Sequence, residues 1–342
     1  MKAKKLLIFC ICLTLIFSFT SCKKKKGKSA TPKQDPPKKV SVLNPLTGED
    51  GFDSNAVGKR PIAISINNAY PARPQWGFDS PDVVIEGLAE GGVTRMLWLY
   101  ADVNKIPKAG SIRSARIDFV ELAENFDSIF VHWGCSDTAQ AMMRRNNTDH
   151  IDGMHGVYFK RDFSRNVPSE HTGYSNNELI KKAISDKKFR TSAKDGLQPY
   201  FAFNDSDKSF ADSATKVNFK FSHYASYQYS YDSESKTYGG QYGSKQLKSF
   251  EGKPFRVKNL IILYFPSYKI INKSGSIDMD LSAGNGYVFT NGTVSKIKWT
   301  KGNDKNAKLV LKDENGNQIK LNKGKSYIAL IPQANSGLTS IS

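Results

Sequence analysis

The chain has 342 residues, of which 39% are apolar and 24% charged, and its formal net charge is +18 at pH 7. This length has room for about two domains, and the composition is that of an ordinary globular protein that can bury a core. The charge is uneven: residues 1–39 carry eleven lysines and one aspartate, residues 40–212 carry 20 basic and 23 acidic residues, and residues 213–342 carry 19 basic and 8 acidic residues. The middle of the chain does not attract polyanions by bulk charge. Nucleic acid is not an expected partner, since no helix-turn-helix, zinc-finger or aromatic-plus-basic RNA signature accompanies the charge.

The N-terminus has the pattern of a bacterial lipoprotein signal peptide. A short basic segment precedes a continuous apolar run over residues 6–19, which is too short to span a membrane comfortably. Two small residues then precede Cys22. We therefore predict that residues 1–21 are a signal peptide and that Cys22 is lipidated with acyl chains such as palmitate. The alternative is an ordinary secretory signal, and both interpretations place the domains outside the cytoplasm.

The segment after Cys22 is predicted to be a flexible basic tether over residues 22–43. It is rich in lysine and proline and has no apolar period, so it cannot bury enough surface to fold. Its lysines favour anionic lipid headgroups beside the anchor, which makes the bacterial membrane the first expected partner. Cys10 and Cys12 leave with the signal peptide and Cys22 is acylated, so Cys135 remains as a single thiol without a disulfide.

A first domain over residues 44–203 is predicted to have an α/β or α+β fold. Turn residues open it at 44–48, and strands alternate with helices along its length. The predicted strands are 60–68, 93–102 and 128–133, and the predicted helices are 117–126, 137–145 capped by Ser136 or Asp137, and 174–184 capped by Ser175.

A second domain over residues 213–332 is predicted to be all-β and antiparallel, as a sandwich or barrel. It consists of short alternating stretches, and Asn291-Gly292 and Asn315-Gly316 are strong hairpin signals. The boundary falls in a polar run over residues 204–215. Several tyrosines with interleaved lysines indicate either a glycan- or protein-binding face or strands with one solvated face. These are Tyr224, Tyr227, Tyr229, Tyr231, Tyr238 and Tyr242.

Chemistry is expected near Arg113 and Arg116, which lie three residues apart in a Gly/Ser loop just before a helix. That spacing puts both guanidinium groups on one side of the backbone, and free N–H groups at a helix start favour an anion. We predict an anion-binding site formed by five arginines, namely Arg95, Arg113, Arg116, Arg161 and Arg165. The alternative is a buried ion-pair network with Glu86, Glu90, Asp118, Asp137 and Asp162.

Other candidate residues point to packing rather than to catalysis. Cys135 and His132 lie three apart, but a lone buried cysteine is more often structural. His150 and His155 lack the HExxH spacing, so neither a metal nor another cofactor is predicted. The tryptophans are interpreted as core in preference to a sugar-binding groove; they are Trp76, Trp98 and Trp133.

Three motifs resemble the YerB-like lipoprotein family, also called DUF3048. They are Glu90-Gly91-Gly92-Val93-Thr94-Arg95, Gly110-Ser111-Ile112-Arg113-Ser114-Ala115-Arg116 and Phe159-Lys160-Arg161-Asp162. The resemblance covers nearly all of residues 44–332. It implies an extracytoplasmic lipoprotein with an α/β N-terminal and a β-rich C-terminal domain, and it implies no established activity. His171 falls later than the histidine of the family pattern, so no role is transferred to it.

The order of Thr94-Arg95, a strand, a basic turn and Ser111-Ile112-x-Arg is also similar to LytR–Cps2A–Psr phosphotransferases. In that family an acid follows the arginine, whereas this chain has Ser114 after Arg113. The favoured function is a non-catalytic binding or scaffold lipoprotein of the cell envelope, with an anionic envelope ligand or a cell-wall protein as partner. The alternative is a phosphotransferase that acts on lipid-linked cell-wall polymers.

Overall fold

A long mixed sheet joins the two halves of the chain. The computed structural model describes residues 42–194, 199–302 and 307–342. The predicted signal peptide, Cys22 and nearly all of the predicted tether lie outside these ranges. Within them, no helix is long and apolar enough to cross a membrane.

The first half of the described chain contains all three α-helices and eight short strands. The helices are α1 (Ile117–Asn125), α2 (Asp137–Asn146) and α3 (Asn177–Asp186). The strands are β1 (Ile62–Asn67), β2 (Val83–Leu88), β3 (Thr94–Tyr100), β4 (Ala109–Gly110), β5 (Ile129–His132), β6 (His150–Asp152), β7 (Lys160–Arg161) and β8 (Gly173–Ser175).

The second half is strand-rich. Its strands are β9 (Asp212–Ser213), β10 (Lys216–Lys220), β11 (Ser226–Asp232), β12 (Thr237–Tyr242), β13 (Lys245–Gln246), β14 (Arg256–Val257), β15 (Asn259–Phe265), β16 (Tyr268–Ile270), β17 (Ile277–Met279), β18 (Ala283–Thr290), β19 (Thr293–Lys301), β20 (Leu309–Lys312), β21 (Ser326–Pro332) and β22 (Ser340–Ile341).

The large sheet has the order β20-β19-β18-β15-β21-β2-β3-β1-β5-β6, and β9 pairs with β19. Strands of the second half thus continue directly into strands of the first half, where β21 pairs parallel with β2. A second sheet has the order β13-β12-β11-β10-β22, and β14 also pairs with β12. The predicted boundary at residues 204–215 therefore separates two sequence regions that share one sheet.

Most of the predicted elements of the first half are present. Observed β1, β3, β5, α1 and α2 lie within a few residues of the predictions, and the Ser136 hydroxyl caps α2 by accepting from the Ala139 N–H. The third helix was predicted too early. It begins at Asn177 and is capped by the Asn176 side chain, because residues 173–175 pair as strand β8 with β4 and β7.

The strand-rich second half is confirmed, and its hairpin at Asn291-Gly292 joins β18 to β19. Antiparallel pairing dominates there, but β15 pairs parallel with β21. The all-antiparallel prediction is therefore corrected. Both strands are buried on both faces, and such continuous apolar runs are typical of parallel pairing inside a covered sheet.

Candidate functional site

The loop that carries Arg113 and Arg116 is pinned between β1 and the segment after β5. The N–H groups of Ile112, Arg113 and Ala115 donate to the carbonyls of Gly173, Ser65 and Gly134 at 2.8, 2.9 and 2.9 Å. These amides are therefore engaged in the fold. These three N–H groups therefore do not donate to an anion, because the loop pairs as an added strand-like segment.

Arg95 and Arg116 share a single internal counterion, Glu90. Arg116 forms a two-pronged pair in which Nε and Nη2 donate to Oε2 and Oε1 of Glu90 at 2.8 and 2.7 Å. Arg95 reaches the same Oε1 at 3.4 Å and also donates to the Ser114 carbonyl. Its register opposite both Asn67 on β1 and Gly87 on β2 places it beneath the arginine loop, and it is only 3% exposed.

The pKa shifts of Glu90 and Arg95 are those expected of an ion pair. Burial by itself raises the pKa of Glu90, but the hydrogen bond from Arg116 and the charges of both arginines outweigh it and lower that pKa to about 2. Burial, followed by the charge of Arg116, lowers the pKa of Arg95 to about 9. The ion-pair alternative is therefore realised for Arg95 and Arg116, through one glutamate.

Arg113 and Arg161 line a different cavity, which we call the arginine-loop cleft. It measures ≈ 490 Å³, and its polar lining includes Arg113, Arg161, Asp137, Asp152, His155 and Glu170. Arg113 lies 3.5 Å from a carboxylate oxygen of Glu170. The Arg161 guanidinium lies over the Trp133 ring, 4.3 Å from its centroid. Three carboxylates against two arginines give this cleft no net attraction for an anion.

The thiol and imidazoles of this region show no activated nucleophile. Burial raises the pKa of Cys135, and Asp152 raises it further. His132 is buried, its Nδ1–H donates to the Gly134 carbonyl at 2.8 Å, and its Nε2 lies 2.9 Å from His150 Nδ1. Burial lowers its pKa to about 4. Among the described residues, no group of three or more His, Cys, Asp and Glu side chains is arranged to hold a metal ion.

Arg165 clamps the loop that follows β1. Its two terminal nitrogens donate to the carbonyls of four consecutive residues, Pro71, Ala72, Arg73 and Pro74, at 2.9 to 3.2 Å. The guanidinium also lies 5.0 Å from the centroid of the Trp76 ring. Arg165 therefore fixes the wall of another cavity, and it lies outside the lining of the arginine-loop cleft.

The predicted acids other than Glu90 are also dispersed. Asp118 accepts from the Met279 N–H at 2.8 Å, and burial raises its pKa well above the usual range. Asp162 pairs with Lys108. Glu86 is fully buried between the two halves of the chain, where it accepts from the hydroxyls of Tyr227 and Tyr327 at 2.9 and 2.7 Å. The prediction that these acids neutralise one cluster is corrected, because each binds a separate element.

The cavity that Arg165 borders, which we call the basic cleft, lies between the loop of residues 68–78 and the β12–β13 hairpin. It measures ≈ 520 Å³. Four cationic side chains line it, and within the described part of the chain its lining contains no aspartate or glutamate. The four are Arg73, Arg165, Lys245 and Lys248. Prolines, Phe78, Val167 and Leu247 form its apolar surface.

Arg73 is held at the back of the basic cleft by neutral partners. Its Nε donates to the carbonyl and the side-chain oxygen of Asn68 at 3.0 and 2.9 Å, and its Nη2 donates to the Tyr227 hydroxyl at 3.1 Å. The guanidinium lies 4.1 Å from the centroid of the Tyr242 ring. Glu86 lies behind it: burial raises the pKa of that carboxyl, and the charge of Arg73 acts against this rise.

Sequence reasoning missed Arg73, Lys245 and Lys248. In the sequence, Arg73 is part of an Arg-Pro pair, Lys245 lies in a short strand and Lys248 follows that strand. Such patterns are common on protein surfaces and do not by themselves predict a site. Arg73 is far from the two lysines in sequence and is brought near them only by packing of the β12–β13 hairpin against the first half. Of the tryptophans, Trp76 and Trp98 are core, whereas Trp133 is partly exposed in the arginine-loop cleft.

The described part of the chain thus combines a mixed sheet that spans both halves with a strand-rich second half. The chain belongs to the DUF3048 family. Residues 46–190 match the "Protein of unknown function (DUF3048) N-terminal domain" and residues 216–328 match the corresponding C-terminal domain.

Two comparisons with individual proteins support this assignment. The chain is 31% identical over 338 residues to the protein named "Putative lipoprotein YerB" from Bacillus subtilis (strain 168), with 96% of each chain covered. It also resembles the crystal structure of YerB from Bacillus subtilis, with a TM-score of 0.76 and 31% identity over 88% of this chain and 99% of that chain.

Proposed function

We propose that this protein is a lipid-anchored, extracytoplasmic lipoprotein of the cell envelope that binds an anionic ligand without transforming it. The name of the Bacillus subtilis relative and the pattern of residues 1–22 support the anchor at Cys22. The observation that carries the binding function is the basic cleft, where four cations line one cavity and no carboxylate in its described lining faces them.

The basic cleft suits an anion better than the arginine loop does. In the arginine loop, Glu90 and Glu170 already pair with Arg95, Arg116 and Arg113. In the basic cleft, several like charges converge on one concave, partly apolar surface. Such an arrangement focuses the positive potential and raises the local concentration of anions. Its ≈ 520 Å³ lies within the range of small-molecule sites.

Thermal melting of the full-length protein in detergent, with and without pyrophosphate, tests the cleft. Pyrophosphate should raise the melting temperature of the wild-type protein, because a ligand at a hundredfold its Kd stabilises the folded state by about 2.7 kcal/mol. The double variant Lys245→Ala/Lys248→Ala should lose most of this rise. Both lysines are exposed, so the fold should be retained.

The matched control is Lys296→Ala/Lys298→Ala on β19, which removes the same charge from exposed positions outside the cleft. It should keep the full pyrophosphate effect, as should Arg113→Ala. No rise in the wild-type protein, or an equal loss in the β19 control, would contradict anion binding in the basic cleft. A loss confined to Arg113→Ala would assign the anion to the arginine-loop cleft instead.

Fractionation of cells tests the anchor. Replacing Cys22 with alanine should move the protein from the membrane fraction to the soluble fraction, because no acyl chain can then be attached. If the variant stays in the membrane fraction as the wild-type protein does, the lipid anchor at Cys22 is rejected.

The phosphotransferase alternative gains no support from the geometry. It requires Arg95, Arg113 and Arg116 to converge on a ligand, but Glu90 occupies two of them and Glu170 lies against the third. It also requires an acid within reach of a metal beside these arginines, and the Asp118 carboxylate instead accepts from the Met279 N–H.

A further inference from the structure

The basic cleft does not end at Arg73. A second cavity of ≈ 340 Å³, which we call the tyrosine cleft, continues from it. Four residues line both cavities, namely Asn68, Tyr70, Arg73 and Tyr242. The tyrosine cleft adds His223 and Tyr224 and, within the described residues, no aspartate or glutamate. We call these two adjoining cavities together the groove: the basic cleft contributes its cations, and the tyrosine cleft contributes further aromatic rings.

Two of the rings in this groove are unusually open to solvent. Tyr70 and Tyr224 are each 63% exposed. Tyr70 is held in place because Lys245 Nζ donates to its hydroxyl at 3.0 Å. The Tyr224 backbone is held because its carbonyl accepts from the Tyr242 hydroxyl at 2.6 Å and its N–H donates to Ser222 Oγ at 3.0 Å. Exposed aromatic faces on a fixed backbone are ready-made stacking surfaces at little entropic cost.

We propose that the anionic ligand of this groove is a polysaccharide chain bearing acidic groups, which stacks sugar rings on Tyr70 and Tyr224 while its acidic groups meet the cations of the basic cleft. This inference rests on the proposed function and specifies its ligand. A pyranose ring presents a flat face of C–H groups with a polar rim, and that face complements the exposed face of a phenol ring. A chain of several sugars also accounts for a groove longer than one small anion needs.

An acidic peptide is the other polyanion to weigh, and the groove disfavours it. A peptide would bind by adding a strand to the outer edge of β13, the terminal strand of its sheet. However, β13 has only two residues, and its exposed Lys245 is engaged with Tyr70. Short, lysine-bearing edges are the kind that resist strand addition.

A ladder of oligogalacturonates, from monomer to octamer, tests the proposal by titration calorimetry on the full-length protein. Affinity should rise with chain length and then level off once the groove is filled. Tyr224→Ala should weaken octamer binding roughly tenfold and dimer binding less, since a stacked ring contributes on the order of one decade. Tyr224→Phe should restore the affinity, because it keeps the ring. Tyr268→Ala, an exposed tyrosine on β16, is the matched control and should bind as the wild-type protein does.

The outcomes separate this inference from the proposed function. If pyrophosphate binds but affinity does not depend on oligogalacturonate length, the polysaccharide is excluded and the anion-binding function stands. If oligoglutamates of equal charge bind more tightly than oligogalacturonates, the ligand is a peptide and the inference fails. If neither pyrophosphate nor any oligomer binds, both proposals fail together.

Discussion

The arginine-loop region and the basic cleft both contain several cationic side chains, but they differ in whether carboxylates lie beside those cations. Around the loop, each arginine lies against a carboxylate or an aromatic ring, and Glu90 holds two of them at once. In the basic cleft, the cations are spaced by tyrosines, prolines and backbone carbonyls, and no carboxylate of the described chain lines the cavity. An arginine-rich motif is structural where its counterions are built in, as around Glu90, whereas the basic cleft, whose described lining has no carboxylate, is where we propose that an anion binds.

The largest expected effect comes from removing the shared counterion of the arginine loop. Glu90→Gln keeps the shape of the side chain but removes its charge. Arg116 and the buried Arg95 then lose the carboxylate that they share. Because the Glu90 side chain is 28% exposed, breaking this pair should lower the free energy of unfolding by about 3 kcal/mol, the lower end of the range for a buried pair. Urea unfolding of both proteins measures it.

The control for this substitution is Glu170→Gln. Glu170 is 53% exposed in its side chain and lies 3.5 Å from Arg113, so the change should cost less than about 1 kcal/mol. If the two variants unfold at the same urea concentration, the arginine loop is not held by Glu90 and its contrast with the basic cleft disappears.

The pH dependence of stability sharpens the same contrast. The folded-state pKa of Glu90 is about 2, below its ordinary value of 4.5. Its contribution is therefore fully present above pH 4.5 and is lost as the pH falls toward 2. This amounts to up to about 3 kcal/mol, since one pKa unit is equivalent to about 1.4 kcal/mol. The difference in unfolding free energy between wild type and Glu90→Gln should shrink across this range, as urea titrations at a series of pH values can measure.

The free energy of unfolding of Glu90→Gln must be subtracted from that of the wild-type protein at each pH, because another buried acid changes the stability in the opposite direction. Burial raises the pKa of Asp82 to about 6 from 3.8. Its ionisation therefore destabilises the fold as the pH rises from about 4 to 6. A wild-type minus Glu90→Gln difference that stays constant from pH 5 to pH 2 would show that Glu90 has no lowered pKa.

The smallest expected effect reports on the basic cleft. The hydrogen bond from Lys245, followed by its charge, lowers the pKa of the Tyr70 phenol. Lys245→Ala should therefore move that pKa back up toward the ordinary tyrosine value. Ultraviolet titration of the phenolate detects the change, and Tyr70→Phe identifies which part of the curve belongs to Tyr70. An unchanged titration after Lys245→Ala would mean that Lys245 does not contact the Tyr70 hydroxyl in solution and does not position the ring.

The sequence alone predicted much of the local structure. The apolar runs of β1, β3 and β5 and the helical spacing in α1 and α2 identify themselves, since each element buries the face that its pattern defines. The Asn291-Gly292 turn could also be predicted from the sequence, because both residues adopt positive φ, which asparagine and glycine tolerate best. The family assignment followed from the spacing of three motifs and is confirmed by matches over residues 46–190 and 216–328.

Only the tertiary structure decided which charges are paired. Glu90 and Arg116 are 26 residues apart, and Lys245 and Tyr70 are 175 residues apart, so neither contact has a local signature. The parallel pairing of β21 with both β15 and β2 was equally hidden, because hydrogen bonds between distant strands depend on how whole segments pack. Local pattern specifies which face of an element is buried. Whether an arginine meets a carboxylate or an open cleft depends on the element packed against that face, and for this chain that choice moved the candidate ligand site from the arginine loop to the basic cleft.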